Sequence, residues 1–328
     1  MEQLETGVDE ARAPCVVTRS KMQNGGYRLS FSMGDEYGDI FVHELFTGVR
    51  FSAGDFFMGT VPLMTQPKKY GLTIMACSEG RCRIDVNEGH SAFLEPGRIA
   101  VHLDDTRTPL SMPTGRFLGI KFFIDFDTIS NRLPRFLQDL DIDPFELEDR
   151  LCPNGEAFLA LAPADLQAAM NHAVLHRNAP RADRRLLFAQ CLNAVAAMEP
   201  DDNIARRIWL TPSQMMMAQG AIESMVSDLR KRTPVAEVAA GYGISESSLR
   251  SYFYSMYGES IPMYMKRRRM DEAAVLLATT NMTVGEIAIG VGYENQSKFA
   301  SAFKSLKKMT PLEYRRMSRV DGFTASCY

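Results

Sequence analysis

Between residues 234 and 314 the chain repeats itself, and that repeat restricts its fold more than any other feature. Pro234–Tyr264 (PVAEVAAGYGISESSLRSYFYSMYGESIPMY) is echoed by Thr283–Tyr314 (TVGEIAIGVGYENQSKFASAFKSLKKMTPLEY). Glu237, Val238, Ala239, Gly241 and Gly243 match Glu286, Ile287, Ala288, Gly290 and Gly292 at an offset of 49. One inserted residue then moves the offset to 50, where Leu249, Phe253 and Tyr264 match Phe299, Phe303 and Tyr314. Each copy carries a short apolar helix, Val235–Ala240 or Val284–Gly290. A turn follows in which Gly243 or Gly292 can take the left-handed backbone of a sharp reversal. A second helix opens after Ser245 in one copy and near Asn295 in the other, both suitable caps. Leu249, Phe253 and Met256 fall at i, i+4 and i+7 of that helix. Phe299, Ala302, Phe303 and Leu306 fall at i, i+3, i+4 and i+7, so each set makes one buried face. The pattern is that of two helix-turn-helix units in tandem.

The faces opposite these apolar stripes carry Ser247, Arg250, Ser251 and Tyr254 in the first copy. In the second they carry Gln296, Ser297, Lys298, Ser301 and Lys304. They are rich in hydrogen-bond donors and nearly free of acid, as a helix entering the major groove of double-stranded DNA requires. Any solvated helix also has a polar face, and it is the duplication that turns the reading toward DNA. Between the copies, KRRR (Lys266–Arg269) can touch phosphates, with Lys266 and Arg267 joined by Tyr254 and Lys304 as candidate backbone contacts. The same run also reads as a solvated face with Arg267–Asp271 and Arg268–Glu272 pairs. Met270, Ala273 and Leu277 continue an apolar stripe that would hold the units at fixed separation. The net charge of −3 is unevenly spread: residues 210–319 hold 15 Lys+Arg against 10 Asp+Glu, and residues 1–209 hold 22 against 29. A basic C-terminal part beside an acidic N-terminal part fits a chain of which one half meets phosphate.

Val284–Arg315 resembles the C-terminal signature of the AraC/XylS family of bacterial regulators, and the likeness extends back over Thr211–Tyr264, about one third of the chain. The resemblance implies a seven-helix domain whose two second helices enter successive major grooves on one face of DNA. It implies base reading by Ser247, Arg250 and Ser251, and by Gln296, Ser297, Lys298 and Ser301. It further implies a cupin-like β-barrel that senses a small molecule, helices that form a homodimer, and RNA polymerase as partner if the output is activation. Two departures stand out. Lys307 and Lys308 occupy positions where the family usually has an aromatic residue and a glycine. Ser247 and Ser251 are small where the family often has large readers, which moves discrimination toward the second unit or toward DNA shape.

Ahead of the repeat, residues 27–126 read as short strands. Leu72–Val86 has two apolar runs joined by Ser78-Glu79-Gly80 and reads as a hairpin, Glu95-Pro96-Gly97 is a turn, and Phe117–Phe126 is a strand rich in aromatic and β-branched residues. Such strands suggest a small barrel or sandwich. Segments 128–140, 155–161, 163–177 and 183–198 carry helical spacing, and Met198–Asn203 reads as a hinge. Thr211 and Pro212 open a further helix that can run to Arg230-Lys231-Arg232. The expected architecture is therefore α+β and multi-domain. Residues 1–126 form an effector-sensing cupin-like β-barrel, 127–205 a helical dimerisation segment, 206–319 an all-α tandem helix-turn-helix domain, and 320–328 a tail.

No phosphate-binding glycine loop, nucleophile elbow or paired catalytic carboxylate appears, so no enzyme and no cofactor are expected. The six cysteines are scattered, and His43, His90 and His102 contain no HxH pair, which speaks against a metal-dependent cupin enzyme. His172 and His176 stand at i, i+4, where solvated histidines are the plainer reading than a metal grip. Arg81, Arg83, Arg98, Arg107 and Arg116 would suit an anionic effector if any point inward, although surface arginine is commoner. Met215–Met217 reads as adaptable packing. No run of about 18 uncharged apolar residues suggests a membrane span, and the acidic MEQLETGVDEARAP lacks the apolar core of an export signal, so a cytoplasmic protein is expected. The function these features predict is a DNA-binding transcription regulator controlled by a small molecule in the β domain. The alternative is one controlled by a protein partner or by oligomerisation alone, for which a barrel filled by its own aromatic side chains would argue.

Overall fold

The run Gly71–Cys77 is buried at seven consecutive positions, without the in-out alternation of a half-solvated strand, and the sheet around it explains why. A computed structural model describes residues 2–4, 15–23, 25–61, 70–87, 89–103, 110–130, 132–176, 180–204 and 209–320. Arg107, the 205/206 boundary and the tail beyond residue 320 lie outside the described residues. The chain divides into two compact units, Met1–Pro212 and Ser213–Tyr328.

The first unit contains β1 (Glu2–Leu4), β2 (Val16–Lys21), β3 (Tyr27–Met33), β4 (Glu36–Phe46), β5 (Val49–Phe57), β6 (Thr60–Val61) and β7 (Gly71–Gly80). It continues with β8 (Cys82–Asn87), β9 (His90–Leu94), β10 (Arg98–Leu103), β11 (Leu110–Ser111), β12 (Phe117–Asp125) and β13 (Phe158–Leu161). Nine of these make one sheet in the order β1-β2-β3-β4-β5-β12-β7-β10-β13, and β6 with β11 and β8 with β9 make two-stranded ribbons. The pairings are antiparallel; in the centre Ile120 of β12 faces Ala76 of β7, and Ile99 of β10 faces the same Ala76 from the other side.

The expected cupin-like barrel does not form: among the described residues no sheet closes on itself, and the first and last strands of the large sheet do not pair. Closure needs a free edge at each end, and the outer edge of β13 is already occupied. Leu159 N donates to Asn203 Oδ1 (3.1 Å), and Ile204 N donates to Leu159 O (2.8 Å). The central strands are also apolar on both faces. Leu72, Ile74, Ala76, Ile99, Val101, Ile120 and Phe122 join one core, while Met75, Cys77, Ala100, Phe117 and Leu159 join another. The expected helix at 155–161 is corrected too. Phe158–Leu161 is a strand, because a four-residue apolar run has no period of its own and β10 offers it a ladder, Ile99 opposite Ala160.

The first core is closed by α1 (Phe126–Ile129), α2 (Arg135–Asp139), α3 (Pro144–Leu151), α4 (Ala164–Leu175) and α5 (Arg181–Ala196). Its centre is a set of phenylalanines. Phe188 of α5 packs on Phe122 (ring centroids 5.1 Å) and Phe136 (5.9 Å), Phe46 stacks on Phe136 (4.6 Å), and Phe51 tilts against Phe122 (5.3 Å). Cys15, Cys77, Cys82, Cys152 and Cys191 form no disulfide, and burial pushes the thiols of Cys77 and Cys152 up to about 12, which makes them poor nucleophiles.

The second unit is all helical as described: α6 (Pro212–Val226), α7 (Val235–Gly241), α8 (Glu246–Tyr257), α9 (Ile261–Thr279), α10 (Val284–Gly290), α11 (Gln296–Lys307) and α12 (Pro311–Val320). The first of these stops at Val226 and does not run on to Arg230. Ser227 Oγ donates back to Ser224 O (2.8 Å) and Asp228 Oδ1 accepts from Arg230 N (3.1 Å), local bonds that compete with the helix ladder.

Candidate nucleic-acid interface

The repeat in sequence is a repeat in geometry. Ser245 caps α8 by accepting from Ser248 N (3.0 Å), and fifty residues on Asn295 caps α11 by accepting from Lys298 N (3.0 Å). Leu249 and Phe253 are fully buried under α8, as are Phe299 and Phe303 under α11. Phe253 meets Tyr264 edge-on at 5.4 Å and 81°, and Phe303 meets Tyr314 at 5.5 Å and 82°. Each second helix is therefore fixed in rotation by the same aromatic lock, which decides which residues face outward.

Those outward residues are Ser247, Arg250, Ser251 and Tyr254 on α8, and Gln296, Ser297, Lys298, Ser301 and Lys304 on α11, all exposed. Arg250 Nε and Nη2 reach back to Glu246 Oε1 (2.8 and 2.5 Å), which orients the guanidinium and neutralises the one acid on that helix. Helix α11 contains no acid at all. The KRRR run does not act as one patch. Lys266 is half-buried and Arg268 exposed, whereas Arg267 Nη2 donates to Glu259 Oε1 (2.6 Å), with its guanidinium over the Tyr264 ring (5.0 Å) and 3.9 Å from Asp271. Arg269 turns inward and donates to Leu229 O (2.9 Å) and Lys231 O (3.3 Å), and burial holds its pKa below the usual arginine value.

The sequence offered the Arg267–Asp271 pair, which forms, but not the partners that Glu259 and Lys307 supply. Lys307 Nζ donates to Asp271 Oδ1 (2.8 Å) across a sequence gap that no helical period connects. The oddity of Lys307-Lys308 was the available signal. Lys308 takes a left-handed backbone (φ 62°) at the end of α11, where the first copy has Gly258 (φ 74°). A lysine there costs roughly 1–2 kcal/mol, and glycine returns about half of that as lost chain entropy in the unfolded state. Lys308→Gly should therefore stabilise the helical unit by about 0.5–1 kcal/mol, read from the melting temperature. A lower melting temperature would mean that the lysine side chain contributes more than its backbone costs.

The candidate effector arginines do not converge. Arg81 and Arg98 both pair with Glu95, Arg83 pairs with Asp85, and Arg116 bridges Asp55 and Glu79. Their charge is met by carboxylates of the same unit. His172 and His176 lie ring to ring, tilted by 39° with centroids 4.3 Å apart, and among the described residues no group of three His, Cys, Asp or Glu side chains is placed to hold a metal. No described helix is long and apolar enough to cross a membrane.

Residues 233–317 match the family model described as a helix-turn-helix domain. The chain is 24% identical over 226 residues to the probable transcriptional regulator LumQ of Photobacterium leiognathi, covering 67% of this chain and 86% of LumQ. It is 35% identical over 86 residues to the transcriptional regulator Rob of Salmonella typhimurium, covering 26% of this chain and 30% of Rob. A solved transcriptional regulator from Chromobacterium violaceum, of the AraC-type DNA-binding class, aligns at 22% identity over 31% of this chain and 91% of its own, with a TM-score of 0.30. The chain thus spans most of LumQ but less than a third of Rob.

Proposed function

We propose that α8 and α11 read two blocks of one operator, the C-terminal unit being homologous to the AraC/XylS helix-turn-helix transcriptional regulators and the chain a DNA-binding regulator. Ser247, Arg250 and Ser251 face base edges in one block, and Gln296, Ser297, Lys298 and Ser301 in the other. Tyr254, Lys266, Arg267 and Lys304 serve the phosphates, Arg267 through donors that its hold on Glu259 leaves over. The observation that carries this reading is the duplicated aromatic lock, which turns two donor-rich helix faces outward in the same sense.

Selection of random duplex DNA by the full-length protein tests it. The expected result is two short enriched blocks about ten base pairs apart; no enrichment, by the whole chain or by residues 205–328, would overturn it. On the selected duplex, Arg250→Ala and Gln296→Ala should each cost about 1–3 kcal/mol and relax specificity at one position. Lys266→Ala should weaken all sequences alike and flatten the salt dependence. Unchanged specific binding in the first two variants would mean that the wrong helix faces have been assigned.

The first unit is proposed to control the second, with residues 127–205 as the homodimer face and RNA polymerase as partner if the protein is an activator. Sedimentation as a monomer at micromolar concentration, with and without DNA, would remove the dimer. For the controlling signal, a small molecule bound in the first unit was the leading expectation. The alternative is control by a protein partner or by self-association.

A further inference from the structure

The ends of the two reading helices are tied together by a chain of charges. Glu259 stands two residues past the end of α8, and Lys307 is the last residue of α11. Between them, on α9, Arg267 holds Glu259 (2.6 Å), and Asp271 holds Lys307 (2.8 Å) while facing Arg267 (3.9 Å). The four side chains are only 24%, 35%, 18% and 21% exposed in the order Glu259, Arg267, Asp271, Lys307, so solvent and salt screen them less than surface pairs. Arg267 and Asp271 each touch two members, and Asp271 is the one that meets Lys307 and so carries the link across to the second helix-turn-helix unit.

We propose that Asp271 is a positioning residue for DNA readout, setting the separation of α8 and α11 and therefore the spacing between the two DNA blocks that the protein accepts. This rests on the two-block reading above. A lysine at the end of α11 in place of an aromatic residue makes the link possible, since an aromatic side chain offers Asp271 no cation. Elsewhere backbone acceptors tie α9 and copy two to the segment after α6: Arg269 of α9 donates to Leu229 O and Lys231 O, and Arg232 donates to Gly292 O (3.0 Å). Its own core of Met270, Leu277, Ile287, Phe299 and Phe303 does not involve Asp271. Removing the carboxylate thus loosens one edge of the contact and leaves both units folded.

The test uses the full-length protein and the duplex it selects, with the two blocks moved one base pair closer and one base pair further apart. Wild type is expected to lose roughly tenfold or more in affinity at either altered spacing. Asp271→Asn is expected to bind the original duplex and to lose only about threefold at the altered ones, and Lys307→Met should behave the same way. The quantity read is the ratio between spacings, which a general gain in DNA affinity from deleting an acid leaves unmoved. Asp271→Glu, which keeps the carboxylate, should restore most of the discrimination. If both Asp271→Asn and Lys307→Met keep the wild-type ratios, the positioning role is overturned while the DNA reading stands. If wild type selects no two-block duplex, the DNA reading fails first and takes this role with it.

Discussion

Gly292→Ala is expected to destabilise the helical unit by about 2–5 kcal/mol and to remove the second block from the DNA that the protein selects. Gly292 has φ +80°, a conformation that costs an alanine roughly 1–2 kcal/mol. A β-carbon there would also stand 2.6 Å from Leu229 O and 3.1 Å from Arg230 O, backbone atoms that cannot swing aside. Relieving that clash means moving the turn off the segment that follows α6. The Arg232–Gly292 hydrogen bond goes with it, and so does the packing of Arg232 over Tyr293. The control is built into the repeat. Gly243 has φ +67° but nothing within 4 Å of a β-carbon, so Gly243→Ala should cost only the backbone term of about 1–2 kcal/mol. Hydrogen exchange over α7 and α10 separates the two: α10 should lose far more protection in Gly292→Ala than α7 loses in Gly243→Ala. Equal losses would mean that the docking on Leu229 does not hold the second unit in place.

That asymmetry between equivalent glycines marks the limit of what the sequence could tell. The repeat was legible because local physics writes it: a cap at Ser245 or Asn295, a left-handed turn, an apolar stripe. Each of these needs only residues within about a dozen positions of one another. The outward faces of α8 and α11 followed from the same period. What Gly292 rests on, or that Lys307 finds Asp271, depends on how helices far apart in the chain pack, and no periodicity encodes it. In the first unit the barrel expectation failed for a similar reason. Strand content near 27–126 is visible in residue types, but closure depends on whether the two end strands meet. Residues 158–161 and 203–204, well outside the strand-rich region, occupy the edge where closure would have occurred. The apolar run Leu72–Cys77, interrupted only by Thr73, was the one signal available, because a strand apolar on both faces belongs inside a sheet covered on both sides.

How that first unit is filled leads to the second large effect. Phe188→Ala should destabilise the unit of residues 1–212 by about 3–5 kcal/mol, because Phe188 is fully buried among Phe46, Phe122 and Phe136 and these rings cannot collapse into its place together. The void would be apolar on every side and would stay dry, so it should accept a small aromatic molecule. Benzene at ten times its dissociation constant would then return about 1.4 kcal/mol to the variant by linkage. Wild type should gain nothing, since its own phenylalanine occupies the space. Thermal melting with and without benzene measures both. A wild-type unit that gained as much as the variant would already hold an open apolar chamber, and control by a small molecule would become the better reading of this domain. A gain confined to Phe188→Ala would mean that the protein fills its own interior, and the signal reaching the DNA-binding unit must then arrive at the surface.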